Sequence, residues 1–469
     1  MGFVTEHISE PYLMFNGGRS KDPKAGLIKY GPRTPSGEEI HIVIKAGIIG
    51  SSETISATHK LLKDMRNTIL HSGVEPKRHL TPFPGLGKES PLNITINTQK
   101  RWRVSFSFGE IEEIKKTKKK NNRIEKSLEL IEHKIQLLYE KESPPDIVII
   151  SIPQEITNVC SSPFEKKPKI QTNESDFHNR IKLQGMKIGL PTQLIRPETL
   201  RGEGTQDKSV IAWNLAVGIL YKSQKGHPWK LSELENGTCF AGISFYKERG
   251  NENNITKASM AQVFLETGES FILRGGRISG LSKGKQTHLN AKDSEKIVNK
   301  ILHHYKRIKG GYPDRLVIHK TSNFWEEERE GIKKAAKEIE KIDLITILDH
   351  HPLRMFSTGD FPVLRGTLVS APDGSEHYLY TMGYTPAIGT YPGPRIPKPI
   401  VIRPDRQLCY TSIQEICKEI LSFTKLDWNT AQYCRKLPVT IEVARSVGGI
   451  LAEAQAKKID IDPHYYFYM

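Results

Sequence analysis

His178 and Lys182 stand four residues apart, Gln193 follows eleven residues later, and Lys222 ends the apolar run 214–222. A four-residue spacing on a helix projects two side chains from one face. A phosphate is held best by fixed cations and amide donors, preferably near a helix N-terminus. Brought together, an imidazole, two ammonium groups and a carboxamide would form a pocket for a terminal phosphate. The four residues therefore point to a protein that grips one end of a nucleic-acid strand.

Such a pocket needs at least two helices and a connection to hold it. The pattern predicts a helix carrying His178 and Lys182, a turn over 189–193 that presents Gln193, and a second helix ending at Lys222. Residues 146–152 read as a buried strand. Ile124, Leu128, Ile131, Ile135 and Leu138 step by four and three, as an amphipathic helix does. A polar loop over 160–176 joins that strand to the His178 helix. Alternation of helix and strand up to Lys222 favours a small α/β sandwich. Before it, strand-like runs at 41–44 and 102–106 flank a helix candidate at 52–72.

Past Trp229 the pattern changes. Strands at 238–246, 258–266 and 271–273 precede a helix at 293–305, a buried strand at 315–319, a helix at 326–342 and a strand at 342–348. That order describes an RNase H-like sheet. Residues 392–404 read as proline-rich surface structure, followed by helices near 412–424 and 440–456.

Composition narrows the function classes. The chain of 469 residues has room for several domains, and its 69 Lys and Arg against 53 Asp and Glu give a net charge of +16, a field that attracts polyanions. Lys115–Lys120 with Arg123 concentrate part of that charge. No apolar run approaches the roughly 20 residues of a membrane span. The first residues lack the features of a secretory signal, so a cytoplasmic location is expected. Five scattered cysteines form no Cys-x-x-Cys pair and predict reduced thiols rather than zinc ligands. Gly280-x-x-x-Gly284-Lys285-Gln286-Thr287 is one residue short of a phosphate-binding P-loop and has Gln286 where Ser or Thr should stand.

Several ordered segments resemble the Argonaute proteins, over essentially the whole chain. Phe177-His178-x-x-Ile181-Lys182 with Pro191-Thr192-Gln193 is similar to the guide-end motif of the MID domain. Tyr221-Lys222-x-x-x-Gly226-x-Pro228-Trp229 resembles the passage from MID to PIWI, and Pro352-x-Arg354-x-Phe356 resembles a PIWI segment. The opening, Glu10–Phe15 with Asp22–Leu27, looks like that of the short prokaryotic class, which has MID and PIWI only. The resemblance implies an α/β fold with a Rossmann-like MID domain at 143–232 and an RNase H-like PIWI domain at 233–469. A small α+β linker region at 1–142 would precede them.

The same resemblance implies that His178, Lys182, Gln193 and Lys222 hold the 5′ phosphate of a guide. Magnesium would sit there, ligated by Gln193 and the terminal carboxylate of Met469. The carboxylate positions of a two-metal nuclease fall on Ser244, Thr321 and Arg445, and residues 275–290 contain no carboxylate to serve as the loop Glu. The resemblance therefore implies an inactive PIWI site, with Arg354 and Arg445 as nucleic-acid backbone contacts. It further implies a guide RNA, a single-stranded DNA target and an APAZ-containing effector as heterodimer partner. That effector would be a TIR, a sirtuin-like enzyme or a nuclease, an NAD-degrading one being favoured, and its activation would cause abortive infection. A guided nuclease with rearranged ligands and a stand-alone nucleic-acid binder are the alternatives.

Overall fold

The structure is a computed structural model that describes residues 2–469 except 35–36, 38–39, 73–79, 161–176, 204–205, 233, 248–256, 266–268, 278–280, 284–285, 392, 394 and 457–458. The polar loop expected over 160–176 lies, past Cys160, outside the described residues.

A five-stranded sheet runs in the order Ile94–Asn97, Ile42–Gly50, Ile147–Ser151, Thr192–Ile195, with Arg103–Ser105 joining the end of Ile42–Gly50. All its pairings are parallel. A parallel sheet is normally covered on both faces, and the burial here agrees: all of Ile147–Ser151 is buried. On one face Val148 and Ile150 pack with Ile124, Leu128, Ile131 and Ile135 of the helix Lys120–Tyr139 and with Ile181 of the helix Phe177–Ile188. On the other, Ile147 and Ile149 share a core with Leu215, Ala216 and Ile219 of the helix Lys208–Gln224.

This sheet corrects the expected domain division. The boundary at residue 143 runs through it, because 42–50, 94–97 and 103–105 supply three of its strands. Residues 1–142 are thus not a separate linker region. The partner strands Ile42–Gly50 and Ile147–Ser151 lie about a hundred positions apart in the chain, and a parallel pair always needs a long crossover. The helix expected at 52–72 is shorter: Ser52–Asp64, opened by a reciprocal capping box between Ser51 and Thr54.

A nine-stranded sheet is the other large layer. It runs Val4–His7, Thr367–Ser370, His377–Leu379, Ile400–Pro404, Lys341–Leu348, Arg315–Lys320, Thr238–Lys247, Lys257–Leu265, Ser270–Arg277. The last three are antiparallel neighbours, while Arg315–Lys320 pairs in parallel with both Thr238–Lys247 and Lys341–Leu348. This is the RNase H-like order that the sequence predicts. Helices Ala291–Lys309 and Glu326–Ala335 cover one face; Ile413–Phe423 and Val439–Ala456 cover the other.

One segment differs from expectation. The proline-rich run 392–404 ends in the strand Ile400–Pro404, whose Ile400, Val401 and Ile402 are fully buried. Its prolines stand before the strand or at its last residue, where they do not interrupt the ladder. Glu10 ties the first segment to the last third of the chain, pairing with Arg365 at 2.7 Å and Lys425 at 2.9 Å. Burial alone would raise the Glu10 pKa, but these two cations outweigh it and lower it to about 2. Among the described residues no helix is long and apolar enough to cross a membrane.

Candidate functional site

Two helices and a strand edge converge where the four sequence-selected residues meet. Lys222, in the last turn of Lys208–Gln224, is only 2% exposed. A buried ammonium is costly without a partner, and its Nζ donates to Gln193 Oε1 at 2.8 Å. Gln193 Nε2 in turn donates to the Leu194 carbonyl at 3.0 Å. Gln193 is not in a turn as expected. Gly189, at φ +87°, makes the turn, and Gln193 is the second residue of the strand Thr192–Ile195, in register with Ile149. Pairing with a buried parallel neighbour extends the chain there, a tertiary effect that local turn residues do not reveal.

His178 and Lys182 share the helix Phe177–Ile188, and both are half-buried. Lys182 Nζ donates to the Tyr468 carbonyl at 3.3 Å, so the C-terminal turn closes one wall. Met469 follows directly and is buried. An aromatic cluster anchors this wall: Tyr221 lies 5.1 Å from Trp428 and 6.3 Å from Tyr465, ring to ring. Asn429 reaches the same place, since a Cβ on Gly218 would lie 3.4 Å from its Oδ1 and 3.5 Å from Gln193 Oε1.

The electrostatics show that the groups share one environment. His178 is held well below its usual pKa, first by burial and then by Lys182, Arg196 and Lys222. Lys222 is likewise pushed well below the usual lysine range by burial and by Lys182. A dianionic group placed among them would offset this mutual repulsion. Arg196 and Asn429 were missed in the sequence; the only signal for Arg196 was its position three residues past Gln193.

The second set of positions lies at the end of the large sheet. The parallel pairing of Thr238–Lys247 with Arg315–Lys320 runs to Ile243↔Lys320, so Ser244 and Thr321 follow side by side. Among the described residues the buried Ser244 hydroxyl oxygen has no hydrogen-bond partner, whereas Thr321 is exposed. The helix Val439–Ala456 crosses close above: a Cβ on Gly242 would lie 1.8 Å from the Thr440 carbonyl oxygen. Arg445 belongs to this helix, but its side chain lies outside the described residues. So does part of the loop 275–290. Among the described residues Arg354 makes no direct contact with either site; its Nη1 donates to the carbonyls of His351 and Leu353, at 2.7 and 2.5 Å. Among the described residues no group of three His, Cys, Asp or Glu is placed to hold a metal ion.

Comparison with known proteins fits this geometry. The Piwi domain family model matches residues 169–455. No curated protein matches the chain. Clostridium butyricum Argonaute, solved with a guide DNA and a 19-mer target DNA, is 18% identical with a TM-score of 0.67, covering 100% of this chain and 55% of that one. Drosophila Piwi is 13% identical with a TM-score of 0.64, covering 99% and 56%. Aquifex aeolicus Argonaute is 16% identical with a TM-score of 0.59, again covering 99% and 56%. The chain thus spans about half the length of these structures, which at such identities are similar to it in fold. With well over half of its residues matched by that one model, the chain belongs to the Piwi domain family.

Proposed function

We propose that this chain is the guide-binding, target-sensing subunit of a prokaryotic immune complex. It holds the 5′-phosphorylated end of a guide, in this reading an RNA, and pairs that guide with complementary single-stranded DNA. The observation that carries the proposal is the convergence of His178, Lys182, Gln193 and Lys222 beside the C-terminal turn. Lys222 and Lys182 donate charge-assisted hydrogen bonds to the phosphate. Gln193 orients the Lys222 ammonium, and the buried tail excludes water behind it. Base pairing reads the target sequence, while the protein tracks backbone charge, a role that suits Arg354, Arg445 and the net positive field.

Magnesium fits this pocket by donor type. Gln193 Oε1 keeps a second lone pair beyond its bond to Lys222. Magnesium commonly takes one or two protein oxygens together with phosphate and water. When bound, it would screen the phosphate charge.

Cleavage is not part of the proposed activity. Two-metal phosphodiester hydrolysis needs anionic ligands, and the corresponding residues are Ser244, Thr321 and the cationic Arg445. We assign the output instead to an APAZ-containing partner, a TIR or sirtuin-like NAD-degrading enzyme, switched on by target pairing to give abortive infection in the cytoplasm. Purifying the native protein with its nucleic acid and partner tests this. Short 5′-phosphorylated RNA and a second polypeptide are expected; recovery of a lone chain without nucleic acid would oppose it.

A further inference from the structure

We infer that the large sheet holds an internal water site beneath the first turn of the helix Val439–Ala456, bridging Gln262, His319 and Ser244. The sheet register brings these residues together. Gln262 and His319 are the two direct neighbours of Gly242, one on the antiparallel strand Lys257–Leu265 and the other on the parallel strand Arg315–Lys320. Paired residues share a face of the sheet, and Ser244, two residues past Gly242, lies on that same face. The helix closes it from above. The Thr440 carbonyl oxygen lies 1.8 Å from where a Gly242 Cβ would be, and the Thr440 hydroxyl is hydrogen-bonded to His319 Nδ1 at 2.8 Å.

Gln262 and His319 are 0% and 1% exposed. Among the described residues, neither polar atom of the Gln262 amide has a hydrogen-bond partner, and nor have His319 Nε2 and Ser244 Oγ. Buried polar groups find hydrogen bonds, to protein or to ordered water, so four such atoms at neighbouring positions call for a shared partner. Their chemistry selects it. The amide carries both a donor and an acceptor, and the serine hydroxyl is both. Burial first, and Arg315 second, hold the His319 pKa down to about 3, so its ring is neutral and Nε2 donates or accepts according to tautomer. A cation would leave the amide N–H groups unfilled, and an anion would leave the amide oxygen unfilled. Water fills both kinds, and an internal water needs two to four polar partners. Gln262 and His319 stand two strand spacings apart, about 9.6 Å, so a bridging water reaches where a direct bond does not. The site ties the first turn of the helix to three strands by neutral hydrogen bonds.

A high-resolution crystal structure of the chain should show ordered water within hydrogen-bond reach of the Gln262 amide and His319 Nε2. A row without water, or with an ion in its place, would overturn the inference. Urea unfolding gives an independent reading. Q262L should raise the unfolding constant about tenfold, because the water loses an anchor and His319 and Ser244 lose their bridge. In a dry row the same change would remove an unpaired amide and stabilise the fold. S244A, the gentler substitution, should also lower the urea midpoint, and a higher midpoint for either variant would overturn the inference. The double variant should lose less than the two single losses added, since both act on one network; strict additivity would contradict a shared water.

Discussion

The cationic pocket and the end of the large sheet are built differently and hold opposite chemistry. In the pocket two helices converge on one strand of a parallel sheet, whereas at the large sheet parallel pairing brings two residues far apart in sequence to neighbouring strand ends under a crossing helix. In the pocket the gathered groups are donors: Lys222 on Gln193, Lys182 on the tail, His178 and Arg196 within electrostatic reach. At the large sheet they are two neutral hydroxyls, one exposed and one buried without a partner among the described residues. A fold thus supplies a place, and the side chains decide its chemistry separately at each place. In the proposed reading, one chain offers a grip on nucleic acid without the carboxylates that metal-assisted cutting requires.

Breaking the pocket should produce the largest effect. Each charge-assisted bond to a phosphate contributes about 1.5–3 kcal/mol, so K182A with K222A should weaken binding of a 5′-phosphorylated guide by about a hundredfold or more. Binding of the 5′-hydroxyl strand should change far less, as read by filter binding of the two strands in parallel. Gly242→Ala probes the other region. Its Cβ would collide with the Thr440 carbonyl, and forced overpacking of this kind costs about 1–3 kcal/mol. Urea unfolding should show that loss, with affinity for uridine 5′-monophosphate unaltered.

A smaller effect concerns protons. His178 has a folded pKa well below its ordinary 6.5, so between the two values it is neutral when folded and protonated when unfolded. Its contribution to stability is complete above 6.5 and is lost as pH falls toward the folded value. A bound phosphate reverses the local field and raises that pKa, so below pH 6.5 guide binding should take up more protons in the native chain than in H178Q. Calorimetry of both proteins in two buffers of different ionisation enthalpy measures that difference, from which the phosphate's own protons and those of Lys222 cancel. At the large sheet the smallest effect is expected: S244D with T321D should yield no guide-directed cleavage in manganese, because the loop carboxylate is still missing and Arg445 remains.

Much of this arrangement was legible in the sequence. The four-residue step from His178 to Lys182 defines a helix face by itself, and the apolar run before Lys222 defines a helix end. The alternation from Thr238 to Leu348 is enough to specify the order of the central strands. What was hidden depends on partners distant in the chain. Gln193 reads as a turn residue until Ile149 is known to lie beside it. The prolines before Ile400 mask a buried strand whose neighbours are 341–348 and 377–379. The strands of 42–105 could not be assigned to the small sheet because their parallel pairing leaves no local trace. Arg196 lacks any pattern, being significant only for where its strand ends.

One gel separates gripping from cutting. The purified chain is loaded with a 5′-phosphorylated guide and given an end-labelled complementary DNA strand with magnesium or manganese. The full-length target should stay in the complex, uncut, and a 5′-hydroxyl guide should retain much less. A shortened target, cut opposite the guide, would contradict the proposed function.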